Sequence, residues 1–129
     1  MSGGVEEYVA GYVNNSNSSL TTYGSSLVNA ASKYKDVYIK GSNGDTEDEN
    51  YTANSSIKGD VVYETSAGIG TTSWYSDYSC MPYSSVPFFV RGGSYGSGTC
   101  AGLFGFYHLD GSAYSNAGFR PALGVGVVL

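Results

Sequence analysis

The sequence predicts one loop-rich domain built mainly of short β-strands, with a single short helix. Three observations predict it. Strong helix formers such as Leu, Glu, Lys and Arg are scarce. Tyr, Val, Thr and Gly recur in short bursts, with 13 Tyr and 19 Gly among 129 residues. Only one stretch carries the apolar spacing of a helix. A chain of this length holds one core and not two.

Taken in order, "GGVEEYVAGYV" alternates as a strand, with Val5, Glu7 and Val9 on one side and Glu6 and Tyr8 on the other. "NNSNSSLTTYGSS" is a polar, turn-rich loop. Leu27, Ala30, Ala31 and Tyr34 fall at i, i+3, i+4 and i+7, which predicts a helix ending near Lys35. "DVYIK" reads as a brief strand, and "GSNGDTEDENYTANSS" as a long acidic loop. "GDVVYETS" fits a strand or a helix start equally. "AGIGTT" is a turn before "SWYSDYS", whose Trp74 is the only tryptophan and is given a structural role. Strands are expected at Phe88 to Arg91, Gly102 to Phe106 and Ala122 to Leu129.

The formal net charge is −5, with six Lys plus Arg, which argues against nucleic-acid or anionic-membrane partners because both need a basic face. No apolar run reaches the length of a bilayer span. The opening "MSGGVEEYVAGY" has neither a basic n-region nor an apolar h-region, so any export signal is expected outside this chain. Cys80 and Cys100 read as one disulfide in an exported protein or as two free thiols in a reducing compartment.

Residues for catalysis are few. His108 is the only histidine, in "FYHLDG", and is expected to be an exposed loop residue. A triad of His108, Asp110 and a serine has no spacing to recommend it. No metal site is expected, although Asp45, Glu47 and Glu49 at alternate positions are one way to hold calcium. A solvated charge run is the commoner explanation of that pattern. Arg91 and Arg120 sit inside apolar stretches, where a guanidinium needs paired donors. Both are expected to be internal braces, with Glu7 and Glu64 as partners. The abundance of Tyr, Ser, Gly and Asn suits a recognition surface, since Tyr gives rigid amphipathic area and the small polar residues adapt their hydrogen bonds.

"MSGGVEEYV", "RGGSY" and "GFRPAL" occur in that order across the chain. Together they resemble the signature motifs of the formylglycine-generating enzyme/sulfatase-modifying family. That resemblance implies an irregular α+β domain, a variant of the C-type lectin fold with long structured loops. The match starts at Met1, in the middle of the family's usual domain, which implies a truncated or minimal version. The departures point away from oxidase chemistry. The related enzymes carry two reactive cysteines shortly after Gly-Gly-Ser, whereas "RGGSYGSGTCAG" holds only Cys100, with Ser97 near the other place. Gly4, Glu6 and Tyr8 also depart from the first motif.

The closer resemblance is to the non-enzymatic branch, the variable proteins of diversity-generating retroelements. In these ligand-binding proteins a segment ending near Gly-Phe-Arg is mutated at adenines of its codons. Such mutation of Asn-type codons never yields Lys, Glu, Gln, Met or Trp, and none of the five occurs from Ser94 to Gly118. The resemblance implies display on a cell or virion surface, or secretion, with a protein or glycan on a target cell as ligand. It also implies attachment to a larger surface or tail protein, or a homo-oligomer, and no cofactor. Binding loops tolerate substitution when a scaffold fixes their backbone. Alternation in "AGLFGFYHLDG" would place Phe104 and Phe106 inward, and Phe119 is expected to join them in the core. The expected binding face is Ser94, Tyr95, Ser97, Thr99, Leu103, Tyr107, His108, Asp110, Ser112, Tyr114, Ser115 and Asn116. The alternative is a structural adhesin, pilus-tip or tail-fibre component whose loops pack on sister subunits.

Overall fold

A computed structural model describes residues 4–57 and 60–121. It shows an α+β domain with one five-stranded mixed sheet and a few short helices. The first strand, β1 (Glu6–Asn14), lies at its centre. On one side β1 pairs antiparallel with β3 (Phe88–Arg91), which pairs antiparallel with β4 (Phe106–Leu109). On the other side two short strands share β1, both parallel to it. β2 (Asp36–Ile39) takes Gly11 to Asn14, and β5 (Ala117–Phe119) takes Glu6 to Tyr8.

Side-chain alternation on these strands splits the core into two layers. Tyr12 opposes Phe88 in register and clusters with Leu20 on one face of the sheet. Val13 and Phe89 cluster with Tyr38, Val62, Met81 and Phe106 on the other. The β1–β3 register shifts between Tyr8 and Tyr12, leaving Val9 and Ala10 exposed where the ladder is interrupted.

Several expected elements change. The helix expected from Leu27 to Lys35 is replaced by the end of α2 (Ser25–Val28) and a 3-10 turn at Ser32–Tyr34, and the stretch expected to be a polar loop before it carries α1 (Ser19–Thr22). The acidic loop contains a helix, α3 (Glu47–Ala53), whose cap Thr46 accepts a hydrogen bond from the Glu49 amide at 3.3 Å. "VVYET" resolves as a helix, α4 (Val61–Thr65), capped by Asp60. The strand expected at Gly102 to Phe106 begins at Phe106, and Gly102 to Gly105 form the turn before it. The strand expected at Ala122 to Leu129 lies outside the described residues.

Candidate ligand-binding cleft

The chain from Gly92 to Gly105 leaves the β3–β4 ladder as one long excursion. Gly92 and Gly93 have φ of 88° and 63°, values that favour glycine, and turn the chain out of β3. Ser94 then starts a 3-10 segment, Tyr95–Cys100, through a reciprocal cap. The Gly96 amide donates to Ser94 Oγ and the Ser94 amide to Ser97 Oγ, each at 3.3 Å.

Backbone bonds fix this excursion to the frame. The Tyr95 amide donates to Gly4 O at 2.8 Å, the Tyr78 amide to Cys100 O at 3.0 Å, and the Gly92 amide to Gly105 O at 3.2 Å. Asp77 adds one side-chain clamp, accepting from the Phe104 amide at 3.0 Å. The far end of the segment is held likewise, with the Glu6 amide donating to Asn116 O at 2.8 Å.

Between the excursion, β4 and the start of β1 lies an open cleft of ≈ 600 Å³. Ser94, Ser97, Tyr107, Tyr114 and Asn116, all expected in the binding face, line it. The sequence reading missed Glu6, Tyr78, Cys100 and Leu109, which line it as well. Glu6 is only 6% exposed, and its carboxyl is raised above the usual carboxylate range by burial. Burial likewise raises the Tyr107 hydroxyl. The Tyr78 and Tyr107 rings meet at 6.0 Å between centroids. Beside the cleft, Tyr8 donates its hydroxyl hydrogen to Ser112 O at 3.0 Å, and burial pushes its pKa up to about 12.

The remaining expected contacts divide. Tyr95 and Leu103 are 66% and 64% exposed, and Thr99 and Ser115 are exposed too. Asp110 accepts from the Ser112 amide at 2.8 Å and its hydroxyl at 2.7 Å, so both serve a local turn. These bonds hold the Asp110 carboxyl below its ordinary range. Ser94, although it lines the cleft, is buried by its capping role and is not an exposed contact.

His108 is a clear correction. It lies in β4, opposite Phe89, and is buried. Its Nε2 lies 3.3 Å from Glu47 Oε1, its ring stacks on Tyr107, and Nδ1 has no hydrogen-bond partner among the described residues. Burial lowers its pKa more than Glu47 raises it, so the imidazole is neutral at pH 7. Cys80 joins this cluster, and burial followed by the Glu47 hydrogen bond drives its thiol pKa strongly upward. Donor atoms of Glu47, Cys80 and His108 lie within 4.8 Å of one another, a mixed set that suits zinc better than calcium. A hydrogen-bonded buried trio accounts for the same geometry without an ion. The carboxylates expected at alternate positions face different partners, with Asp45 bonded to Asn15 and Asn50 and Glu47 turned to His108.

The arginines also differ from expectation. Arg120 does pair with Glu7, at 2.6 and 3.1 Å, but at the surface. Arg91 opposes Glu7 in register, and its guanidinium lies 5.8 Å over the Phe106 ring. Burial lowers its pKa, while Tyr38 and Asp60 pull it back up. Among the described residues Glu64 forms no ion pair with either arginine. Phe119 is exposed, and Phe104 is only partly covered. Trp74 is 55% exposed and packs on Phe104 at 5.1 Å, while Tyr75, 87% exposed, stacks on the same ring at 5.9 Å. Tyr75 and Ser76 hold φ of 62° and 63°, a strained pair that keeps this aromatic knuckle outward. Both cysteines are free thiols. Comparison with known protein families, curated proteins and solved structures found no match.

Proposed function

We propose that this domain is a ligand-binding display module, a C-type-lectin-like variable protein whose segment from Ser94 to Gly118 is diversified by a retroelement. Its ligand is a protein or glycan on a target cell, met at a cell or virion surface. One observation carries the reading: the segment is anchored mainly through its backbone, while most of its side chains, apart from the buried Ser94, Phe106 and His108, line a cleft or face solvent. Such a frame accepts new side chains without losing its shape. Tyr107 and Tyr114 in the cleft, with Tyr95 outside it, act as rigid anchors. The cleft contains one thiol, Cys100, where an oxidase of the related family needs a pair, so the domain is read as non-enzymatic.

The test has two parts. A panel of host and bacterial cells is stained with the domain and with a variant carrying Ser at Tyr95, Tyr107 and Tyr114. Selective staining that the variant loses supports the reading, and equal staining by both removes it. Sister genomes are then compared: variation confined to codons 94–118 beside a reverse transcriptase supports diversification, and invariance sinks it.

The exposed Trp74, Tyr75 and Leu103 favour a second reading, in which the loops pack on sister subunits of an adhesin or tail fibre. A concentration-dependent oligomer that Trp74→Ser plus Leu103→Ser dissolves would favour that reading.

A further inference from the structure

We propose that the cleft receives the cationic side chain of a lysine or arginine from a protein ligand, with Glu6 as its counter-ion and tyrosine rings as its walls. The proposal rests on the reading of the domain as a binding module and names what its cleft binds. Glu6 is more than nine-tenths buried, yet among the described residues its carboxylate has neither a hydrogen-bond donor nor an ion-pair partner. The enclosed polar atom without a partner among the described residues is His108 Nδ1 and not a Glu6 oxygen, so the carboxylate keeps contact with the open cleft, where a ligand cation can reach it. Among the described residues no lysine or arginine lines the cleft. Burial raises the Glu6 pKa, and an opposite charge brought into the cleft would lower it again.

The walls match a long cation. Tyr78 and Tyr107 put two aromatic rings, 6.0 Å apart, into the lining, and such rings attract ammonium and guanidinium groups. Leu109 offers an apolar flank for a methylene stem. An amino sugar would bring several hydroxyls, each needing a partner, into a lining made largely of Tyr, Phe, Leu and Gly. The lining therefore favours a protein side chain over a glycan.

The arrangement divides the labour between fixed and variable residues. Glu6 and Tyr78 lie outside the segment from Ser94 to Gly118, while Tyr107, Tyr114 and Asn116 lie inside it. A constant carboxylate would hold a charge common to most protein surfaces, and the variable wall would select its surroundings. Binding energy then survives changes in specificity.

The test is NMR titration of the intact chain with N-acetyl-arginine and N-acetyl-lysine methylamides, their neutral citrulline and norleucine counterparts, and glucosamine. The expected result is saturable shifts at Tyr78 and Tyr107 with the two cations and none with the neutral pair. Glu6→Gln should weaken the cations by about tenfold or more, the scale of one charge-assisted contact. Tyr78→Leu, a second variant at a partly exposed site, should weaken them several-fold with the fold intact. Equal binding of citrulline, unchanged affinity in Glu6→Gln, or a clear preference for glucosamine would each overturn the proposal. Staining of cells by Glu6→Gln separates the two levels. If it equals wild type while the triple tyrosine variant fails, the cation is wrong and the binding module stands. If the triple tyrosine variant also stains, the binding module itself falls.

Discussion

At the scale of single residues, two buried titratable groups set opposite pH trends. Glu6 has its pKa raised on folding, so the folded state binds a proton more tightly than the unfolded chain. Stability is then greatest below the ordinary value of 4.5 and falls as pH rises through the raised folded value. Facing Glu6 are Tyr8, Tyr78, Tyr107, Tyr114 and Cys100, and the Tyr8, Tyr78 and Tyr107 hydroxyls are held above their ordinary value. Glu6→Gln should therefore raise Tm at pH 7 and leave it unchanged near pH 4, measured by calorimetry. His108 has its pKa lowered, so the unfolded chain protonates first and stability falls as pH drops below 6.5. Glu47, Cys80, Tyr83 and Tyr107 face it. His108→Gln should flatten urea-unfolding stability between about pH 6.5 and 5; an unchanged slope would contradict the assigned cause.

Asn50 shows what a fully enclosed polar side chain does here. It is completely buried, accepts from the Gly41 amide at 2.7 Å, and donates to Asp45 at 2.8 Å and Pro82 O at 2.9 Å. Asn50→Ala strands the Gly41 and Pro82 groups and should cost about 2–4 kcal/mol by chemical denaturation.

At the scale of elements, legibility followed the locality of the signal. Phe88 to Arg91 was read correctly because an apolar run between a proline and two glycines is a local pattern. α3 was hidden by its acidic composition, although Thr46 followed by Glu49 three residues later is a helix-start signature in plain view. The expected start of β4 came four residues early because Gly102 to Gly105 form a turn set by Asp77 and Tyr78, which lie far away in sequence. Glu6 was placed on its strand, but nothing local revealed which side of β1 is covered. His108 was misplaced for a related reason, since only the ladder to Phe89 turns it inward.

The excursion offers a direct test of backbone anchoring. A Cβ on Gly102 would lie 2.0 Å from Asp77 Oδ2, the oxygen that clamps the loop. Gly102→Ala should speed hydrogen exchange at the Phe104 amide while core amides in β1 and β3 stay protected. Equal loss of protection throughout would mean that the excursion is not a separable unit.

At the scale of the whole molecule, packing depends on one ring between two systems. Phe106 is 1% exposed, packs on Phe89 at 6.1 Å, and also lines the cleft. Phe106→Ala should cost about 3–5 kcal/mol in unfolding free energy. The net charge of −5 adds a longer-range effect. Association with a basic ligand should slow as salt rises, and a rate independent of ionic strength would exclude steering by this charge.

β1 also carries a consequence for how the chain is made. Of the five described strands it leaves the ribosome first, yet its partner β5 begins at Ala117. Glu6 to Tyr8 therefore wait, with one edge unpaired, while more than a hundred residues are synthesised. An open edge of that kind invites pairing with a neighbouring nascent chain. Glu6 and Glu7 place two carboxyls on it, and charge at an unpaired edge is how natural sheets discourage such encounters. One acidic dipeptide would thus guard the strand during synthesis and, afterwards, divide between the cleft and the Arg120 pair.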